Sequence, residues 1–179
     1  MKKVLFLLGL LGLSQAMLDM KGMTFVGDRY CPEVSFTDPL ALESLQNLRN
    51  TGTNYIALVV TEYQDHTDST EIYPIYENFI KTNYYTHKTE TIEGIKIMVQ
   101  KAHEFKMKVM LKPHIDLSKE PNYDFVWRGD IGGFNSEEDW TKWFDSYEKM
   151  IVKYAKLSEE LKVEMLCIST ELIAVSHRT

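Results

Sequence analysis

The sequence predicts a parallel α/β fold, and three observations support that prediction. Short β-rich segments that begin near residues 23, 55, 108 and 164 alternate with amphipathic helical segments, an order typical of a parallel sheet with helical crossovers. The segment Tyr55 to Thr61 is apolar without alternation, as in a strand buried on both faces. The stretch Gly27-Asp28-Arg29-Tyr30 lacks the later glycines of a dinucleotide-binding loop. We therefore expect an eight-stranded β/α barrel of the TIM type, with only about the first four β/α units present.

The first sixteen residues have the pattern of a secretory leader. Lys2 and Lys3 form a basic start, and Val4 to Leu13 is an apolar run shorter than the ~20 residues that a membrane span needs. Ser14-Gln15-Ala16 then offers small residues for cleavage. We predict a signal peptide over 1–16 and a secreted or lumenal domain over 17–179, with no membrane contact after removal of the signal. The alternative, that this run is a buried element of the domain, stays open.

Composition excludes some functions. The net charge is -6 without a long basic run, which argues against nucleic-acid binding because phosphate neutralisation needs clustered Lys and Arg. No Cys-x-x-Cys or His-Glu-x-x-His motif is present, so we expect no metal and no cofactor. Cys31 and Cys167 are the only cysteines. An oxidising compartment permits a disulfide between them, and a small buried thiol at Cys167 is the alternative.

The first β/α unit begins at a strand over Met23–Val26, bracketed by glycines. Asp38-Pro39 then opens a helix, because Asp caps free N–H groups and Pro is favoured at the first helical position. We expect Gly52 to end this helix in a left-handed conformation.

The second unit begins with the strand Tyr55 to Thr61 and contains a long polar and aromatic segment over 65–88. A connection of that length is usually functional or carries small extra structure. The helix that follows, Thr91 to Lys106, has apolar residues at the helical period.

The third strand is predicted over Val109–His114, with Pro113 marking its end because Pro cannot donate to a ladder. Ser136 opens the longest helix with acidic residues in its first turn. An apolar and aromatic stripe on one face of that helix is interpreted as core rather than as a ligand surface: Trp140, Trp143, Phe144, Tyr147, Ile151, Tyr154, Leu157 and Leu161. A fourth strand over Glu164–Thr170 is predicted next.

Reacting groups of such barrels lie at the carboxyl ends of the strands. The four predicted ends offer Asp28 and Arg29; Glu62 and Tyr63; Lys112, His114 and Asp116; and Thr170 and Glu171.

Alternation along the last strand points Glu171 into the mouth of the barrel, with Ser169, Cys167 and Met165 inside and Leu166 and Ile168 towards the helices. Burial near His114 could raise the pKa of that carboxyl, as a general acid at neutral pH requires.

Each candidate also has a structural interpretation. Glu171 could be a solvated residue at the start of a helix. His114 could bond backbone carbonyls at a turn, and Trp127 could pack its loop down. Glu62 could be a surface acid.

Four segments together resemble glycoside hydrolase family 113, from about Met20 to the end of the chain. They are Lys21-Gly22-Met23-Thr24-Phe25, Ala57-Leu58-Val59-Val60 followed by Tyr63-Gln64, Lys112-Pro113-His114-Ile115-Asp116, and Cys167-Ile168-Ser169-Thr170-Glu171-Leu172.

The resemblance implies a β/α-barrel glycosidase that acts on β-1,4-mannan or glucomannan by a retaining mechanism. It implies Glu171 as the acid/base and a nucleophile at the end of a seventh strand, which these residues do not include. Tyr63, His114 and Asp116 would orient sugar hydroxyls, Trp127 would stack on a sugar face, and Thr170 would lie beside the reacting sugar. An inert or carbohydrate-binding half barrel, and a hydrolase of another β-glycan, are the alternatives.

Overall fold

The computed structural model describes residues 19–27, 35–77, 80–81, 86–119 and 126–178. The predicted leader over 1–16, the candidates Asp28 and Arg29, and Cys31 lie outside the described residues. Whether Cys31 and Cys167 form a disulfide is therefore not tested. Cys167 is half-buried, and its thiol contacts the Ser169 carbonyl oxygen at 3.2 Å.

Four parallel strands form one sheet in chain order: β1 (Gly22–Phe25), β2 (Tyr55–Gln64), β5 (Lys108–Leu117) and β6 (Met165–Leu166). They are connected through three helices: α1 (Pro39–Asn50), α2 (Ile92–Glu104) and α3 (Glu137–Leu161). A separate antiparallel pair, β3 (Ile80–Lys81) and β4 (Thr86–His87), lies in the long segment after β2. This sequential parallel order is that of a partial β/α barrel, so the predicted fold is confirmed.

The helices begin where the sequence predicts because each has a side-chain cap. Asp38, Thr91 and Ser136 each accept a hydrogen bond from a backbone N–H of the first turn, at 2.8, 3.0 and 3.1 Å. Such caps satisfy N–H groups that have no partner within the helix. Gly52 follows α1 with a φ of 90°, the left-handed conformation predicted for it.

The core lies between the sheet and the three helices. The helix-facing side of the sheet supplies six fully buried aliphatic side chains from β2 and β5: Ile56, Leu58, Val60, Val109, Leu111 and Ile115. From α3, Trp143, Tyr154 and Leu157 are buried as predicted. Phe144 is 39% exposed and stacks on Trp140, so the prediction of one continuous buried stripe is wrong at this position.

Pro113 does not end the third strand. β5 runs through it to Leu117, with Pro113 beside Val60 of β2. The Leu111 carbonyl accepts from the Cys167 N–H at 2.9 Å, so the polar backbone groups of Leu111 face β6. Residues two apart face the same neighbour in a parallel ladder. The missing N–H of Pro113 therefore faces the β6 side and leaves pairing with β2 intact.

The same proline explains why the fourth strand is shorter than predicted. Only Met165 and Leu166 pair with β5, rather than the whole of Glu164 to Thr170. The next ladder bond would run from the N–H of residue 113 to the Cys167 carbonyl, and proline has no N–H. Beyond this point the predicted alternation is lost, and Ile168 is 65% exposed instead of facing the helices.

Candidate active site

Polar side chains gather at the carboxyl ends of β2 and β5, on the face of the sheet opposite the helices. In the register of these strands Thr61 lies beside His114, and Tyr63 lies beside Asp116. Paired residues of neighbouring parallel strands share a face. Lys112 has the parity of His114, as predicted.

One guanidinium joins three of the polar groups. Arg128 donates through one terminal nitrogen to Glu171 Oε2 at 2.6 Å and to His114 Nδ1 at 3.2 Å. Its other terminal nitrogen donates to Asp116 Oδ2 at 2.9 Å. The second Asp116 oxygen accepts from the Leu117 N–H at 3.0 Å. We call Arg128, His114, Asp116 and Glu171 the Arg128 cluster.

Local structure fixes the position of Arg128. Residues Arg128–Asp130 form a short 3₁₀ turn, closed by the Asp130 carboxylate, which accepts from the Trp127 N–H at 3.1 Å. The Trp127 indole lies over Gly129, where an added Cβ would be 2.5 Å from the ring. A larger residue at 129 would therefore push the indole away. The Arg128 side chain is only 13% exposed, so its charge depends on the cluster for partners.

Glu171 lies at the open side of the cluster. Its φ is 58°, a left-handed conformation that costs a non-glycine residue about 1–3 kcal/mol and is frequent at functional sites. Leu172 and Val175 are buried, and the Ala174 N–H donates to the Gly129 carbonyl at 3.1 Å. These contacts hold the strained residue beside Arg128. The Glu171 side chain is 47% exposed, so it is not buried as the sequence argument required.

His114 is the buried member of the cluster, at 9% exposure. Because an arginine can only donate, Nδ1 is an acceptor, and the neutral ring carries its proton on Nε2. Burial above all lowers the pKa of His114 from 6.5 to about 4, with the Arg128 and Lys112 charges adding to the effect and Glu171 and Asp116 opposing it. Nε2 is buried with no partner within the described part of the chain.

Of the other predicted site residues, two lie beside the Arg128 cluster and one, Tyr63, makes contacts elsewhere. Trp127 is 43% exposed and next to Arg128, and Thr170 precedes Glu171 and is half-buried. Tyr63 is 5% exposed, and its hydroxyl bonds both the carbonyl and the N–H of Lys88, at 3.1 and 3.0 Å. Its ring also meets His87 edge-on. Tyr63 therefore anchors the segment after β2 in this structure, and its predicted contact with sugar stays a prediction.

Glu62 belongs to neither of the two classes predicted for it. It points to the helices and is 2% exposed. Its Oε1 accepts from the Tyr154 hydroxyl at 2.8 Å and from the Lys153 ammonium. The surface-acid interpretation is wrong, and the catalytic one fails because the carboxylate is enclosed by α3.

Arg128 is the residue that the sequence did not single out. It was visible only as a basic residue in a long loop, beside Trp127. No periodicity or spacing links it to His114, 14 positions earlier, or to Glu171, 43 positions later. The pairing of Arg128 with acceptors from two strand ends follows only from the fold.

No group of three or more His, Cys, Asp or Glu side chains with metal-binding geometry occurs among the described residues. In the same part of the chain, no helix has the length and apolar character to cross a membrane.

The sequence profile of Glycoside Hydrolase Family 113 matches residues 23–179. No curated protein matches the chain.

Solved structures with the same fold include the following three. The β-mannanase of this family from Alicyclobacillus acidocaldarius, in complex with ManMIm, is 26% identical with a TM-score of 0.69. Two structures of a β-1,4-mannanase of this family, one a complex, are 24% and 23% identical with TM-scores of 0.69 and 0.68. Each match covers 89% of this chain and 47% or 48% of the other. The chain therefore spans about half the length of the structures it matches.

Proposed function

Because the chain belongs to glycoside hydrolase family 113, we propose that the protein hydrolyses β-1,4-linked mannan or glucomannan. One observation supports this proposal above the others. Glu171 stands at the carboxyl edge of the sheet, strained, half-exposed and held by Arg128. Reacting groups of β/α barrels occupy this edge.

In the proposed reaction Glu171 first gives a proton to the leaving glycosidic oxygen and then activates the attacking water. A retaining mechanism also needs a second carboxyl group about 5–5.5 Å away, which attacks the anomeric carbon. Asp116 shares the guanidinium with Glu171, but both of its oxygens are hydrogen-bonded, to Arg128 and to the Leu117 N–H. We therefore propose, as the family resemblance implies, that the nucleophile is a glutamate at the end of a seventh strand.

The exposed Trp127 indole is the proposed sugar platform. Aromatic rings offer apolar area to pyranose faces, and this ring is 43% exposed next to Arg128. Thr170, which precedes Glu171, and Asp116, a member of the cluster, are the proposed polar contacts. Contact of His114 with the substrate remains a prediction, because the free Nε2 is shielded in this structure.

The test is hydrolysis of β-1,4-mannan, glucomannan, β-1,4-glucan and xylan by the full-length protein, with the proposed seventh strand included, measured as reducing ends released. We expect turnover on the two mannose-containing polymers. The anomer formed first, followed by NMR, should be the one present in the substrate. Release from glucan alone would contradict the substrate, and an inverted first product would contradict the mechanism.

A carbohydrate-binding or inert half barrel is the second candidate, because the chain spans about half the length of the matched structures. It predicts retention on a mannan column without release of reducing ends. An absence of turnover with measurable binding would favour this candidate.

Export is also part of the proposal. Its support is the basic start, the apolar run and the small residues that end at Ala16. Mass spectrometry of the protein from its native host should find an N-terminus at Met17, and an intact Met1 would contradict it.

A further inference from the structure

We propose that Arg128 is the positioning residue of this site: its guanidinium fork orients the Glu171 carboxylate against the end of β5, and a lysine cannot replace it. The effect on catalysis rests on the proposed function. The structural half of the proposal, that Arg128 orders the cluster, does not.

The fork geometry is the first argument. Two terminal nitrogens serve three acceptors that come from different parts of the chain, with donor distances of 2.6, 3.2 and 2.9 Å. Guanidinium presents its donors in a rigid plane, whereas ammonium is a compact point charge. A lysine at this position would keep the charge but could not reach Glu171, His114 and Asp116 together.

The second argument is a two-point attachment of Glu171. Its side chain is bound to Arg128, and three residues later the Ala174 N–H is bound to the carbonyl of Gly129. Both contacts come from the same turn. Gly132, with a φ of 136°, keeps that turn close to the segment, since an added Cβ would be 3.2 Å from the Ala174 Cβ. The turn therefore orients both the carboxylate and the backbone that carries it.

His114 supports the arginine rather than competing with it. The neutral ring accepts from Arg128 through Nδ1 at 3.2 Å. In a protonated ring Nδ1 would carry a hydrogen and face the N–H of Arg128, so the hydrogen bond would be lost. The charged groups that face it are Arg128, Lys112, Glu171 and Asp116. Since burial and the two cations keep the pKa of His114 at about 4, the contact persists through neutral and mildly acidic pH.

The first experiment does not need enzymatic activity. Side-chain ¹⁵N NMR of His114 in the unaltered protein should show a pyridine-type Nδ1 and a pyrrole-type Nε2. In Arg128→Lys, we expect the Nδ1 signal to shift and the His114 midpoint to rise, because one cation moves away while burial remains. Amide exchange over residues 170–175 should accelerate by about tenfold or more.

Arg178→Lys is the matched control. Arg178 is a surface residue that pairs with Glu137 and lies over the Trp140 ring, so its replacement should leave His114 unchanged. If Arg128→Lys retains the wild-type His114 signals and exchange rates, the proposal is overturned. If Arg128→Lys does not fold, Arg128→Gln is measured in its place, because glutamine removes the charge and keeps an amide donor.

The second experiment measures kinetics on mannan. Arg128→Lys should lower kcat by about thirtyfold or more, with KM changed by less than about threefold, because the loss is in the transition state. On a Glu171→Gln background the same change should add less than about threefold, since Arg128 acts through Glu171.

Additive effects would contradict positioning. If the unaltered protein hydrolyses no β-glycan, the proposed function fails, and the NMR comparison still decides the structural role of Arg128.

Discussion

Glu62 lies near the carboxyl end of β2 and Glu171 lies in the segment after β6, yet their surroundings are opposite. Glu62 faces α3, is 2% exposed, and is bonded to Tyr154 and Lys153. Glu171 is on the open side, with a side chain that is 47% exposed and a φ of 58°. Next to Glu171 lie two buried nitrogens, His114 Nε2 and Arg128 Nε, without partners within the described residues.

The difference separates a carboxylate that stabilises the fold from one that is available for chemistry. The donors around Glu62 are already bonded to its carboxylate, so this carboxylate is not accessible to substrate. These contacts stabilise the packing of α3 on the sheet. Around Glu171 the backbone is strained and hydrogen-bonding capacity remains. Buried polar groups without partners are rare, and a functional role is one explanation for them. The predictions below test this contrast from the largest expected effect to the smallest.

Replacement of Glu171 by Gln should have the largest effect. The amide keeps an oxygen for Arg128 but cannot transfer a proton, and general acid–base catalysis contributes about 10²–10⁴-fold. We expect kcat on mannan to fall by about 10³-fold, while the thermal midpoint stays near that of the unaltered protein. Activity assays and calorimetry on the same sample check both halves. Unchanged turnover would contradict the role of Glu171.

Replacement of Glu62 by Ala, in contrast, should lower the free energy of unfolding. The change leaves the buried Tyr154 hydroxyl and the Lys153 ammonium without their acceptor. Removing one member of a buried ion pair costs about 3–5 kcal/mol, and Lys153, at 37% exposure, brings the expected loss to the lower end. Urea unfolding measures it. The matched control Glu62→Gln keeps an acceptor and should lose less, and equal losses would contradict the hydrogen-bond explanation.

Most of the fold follows from local signals in the sequence. Caps at Asp38 and Ser136 marked two helix starts because side-chain oxygens satisfy N–H groups within a few residues. The helical period of apolar residues marked the helix from Thr91. The apolar run that begins at Tyr55 marked a buried strand. The extent of β6 did not follow, because it depends on Pro113, more than fifty positions earlier in the chain. A proline acts on the neighbour that its missing N–H faces, and the sequence alone does not say which neighbour that is.

The candidate site was predictable only in part for the same reason. Side-chain parity placed Lys112 and His114 on one face of the strand, as the register of β5 confirms. The sequence analysis did not place Glu62 on the helix side, where partners about ninety positions away stabilise its carboxylate. Arg128 had no local signal at all, because the fold alone brings its three acceptors together.

The pH dependence of stability should report the buried His114. Unfolded histidine binds a proton below about pH 6.5, whereas burial and the neighbouring cations keep the pKa of His114 at about 4 in the folded chain. The unfolded state therefore binds more protons between these values, and stability falls as the pH decreases from 6.5 to 4. The contribution is on the order of 3 kcal/mol and is constant below about pH 4.

Calorimetry across this pH range checks the effect by comparing two variants. His114→Gln should lose this part of the slope, while the exposed control His177→Gln should keep it. Identical curves for the two variants would contradict the buried, neutral state of His114. Carboxylates that titrate in the same range cancel in the comparison, because both variants retain them.

Replacement of Tyr154 by Phe should have the smallest effect. It tests how much of the stability around Glu62 comes from the Tyr154 hydroxyl. The phenol is fully buried, and burial first and Glu62 second raise its pKa, so it acts as a hydroxyl donor at every pH at which the protein is folded. Removing it leaves Lys153 on Glu62 and should cost about 1–2 kcal/mol. In a double-mutant cycle with Glu62→Gln the two losses should be less than additive, because both remove one contact. Additive losses would mean that the Tyr154 hydroxyl stabilises the fold independently of Glu62, and the contrast with Glu171 would then rest on Lys153.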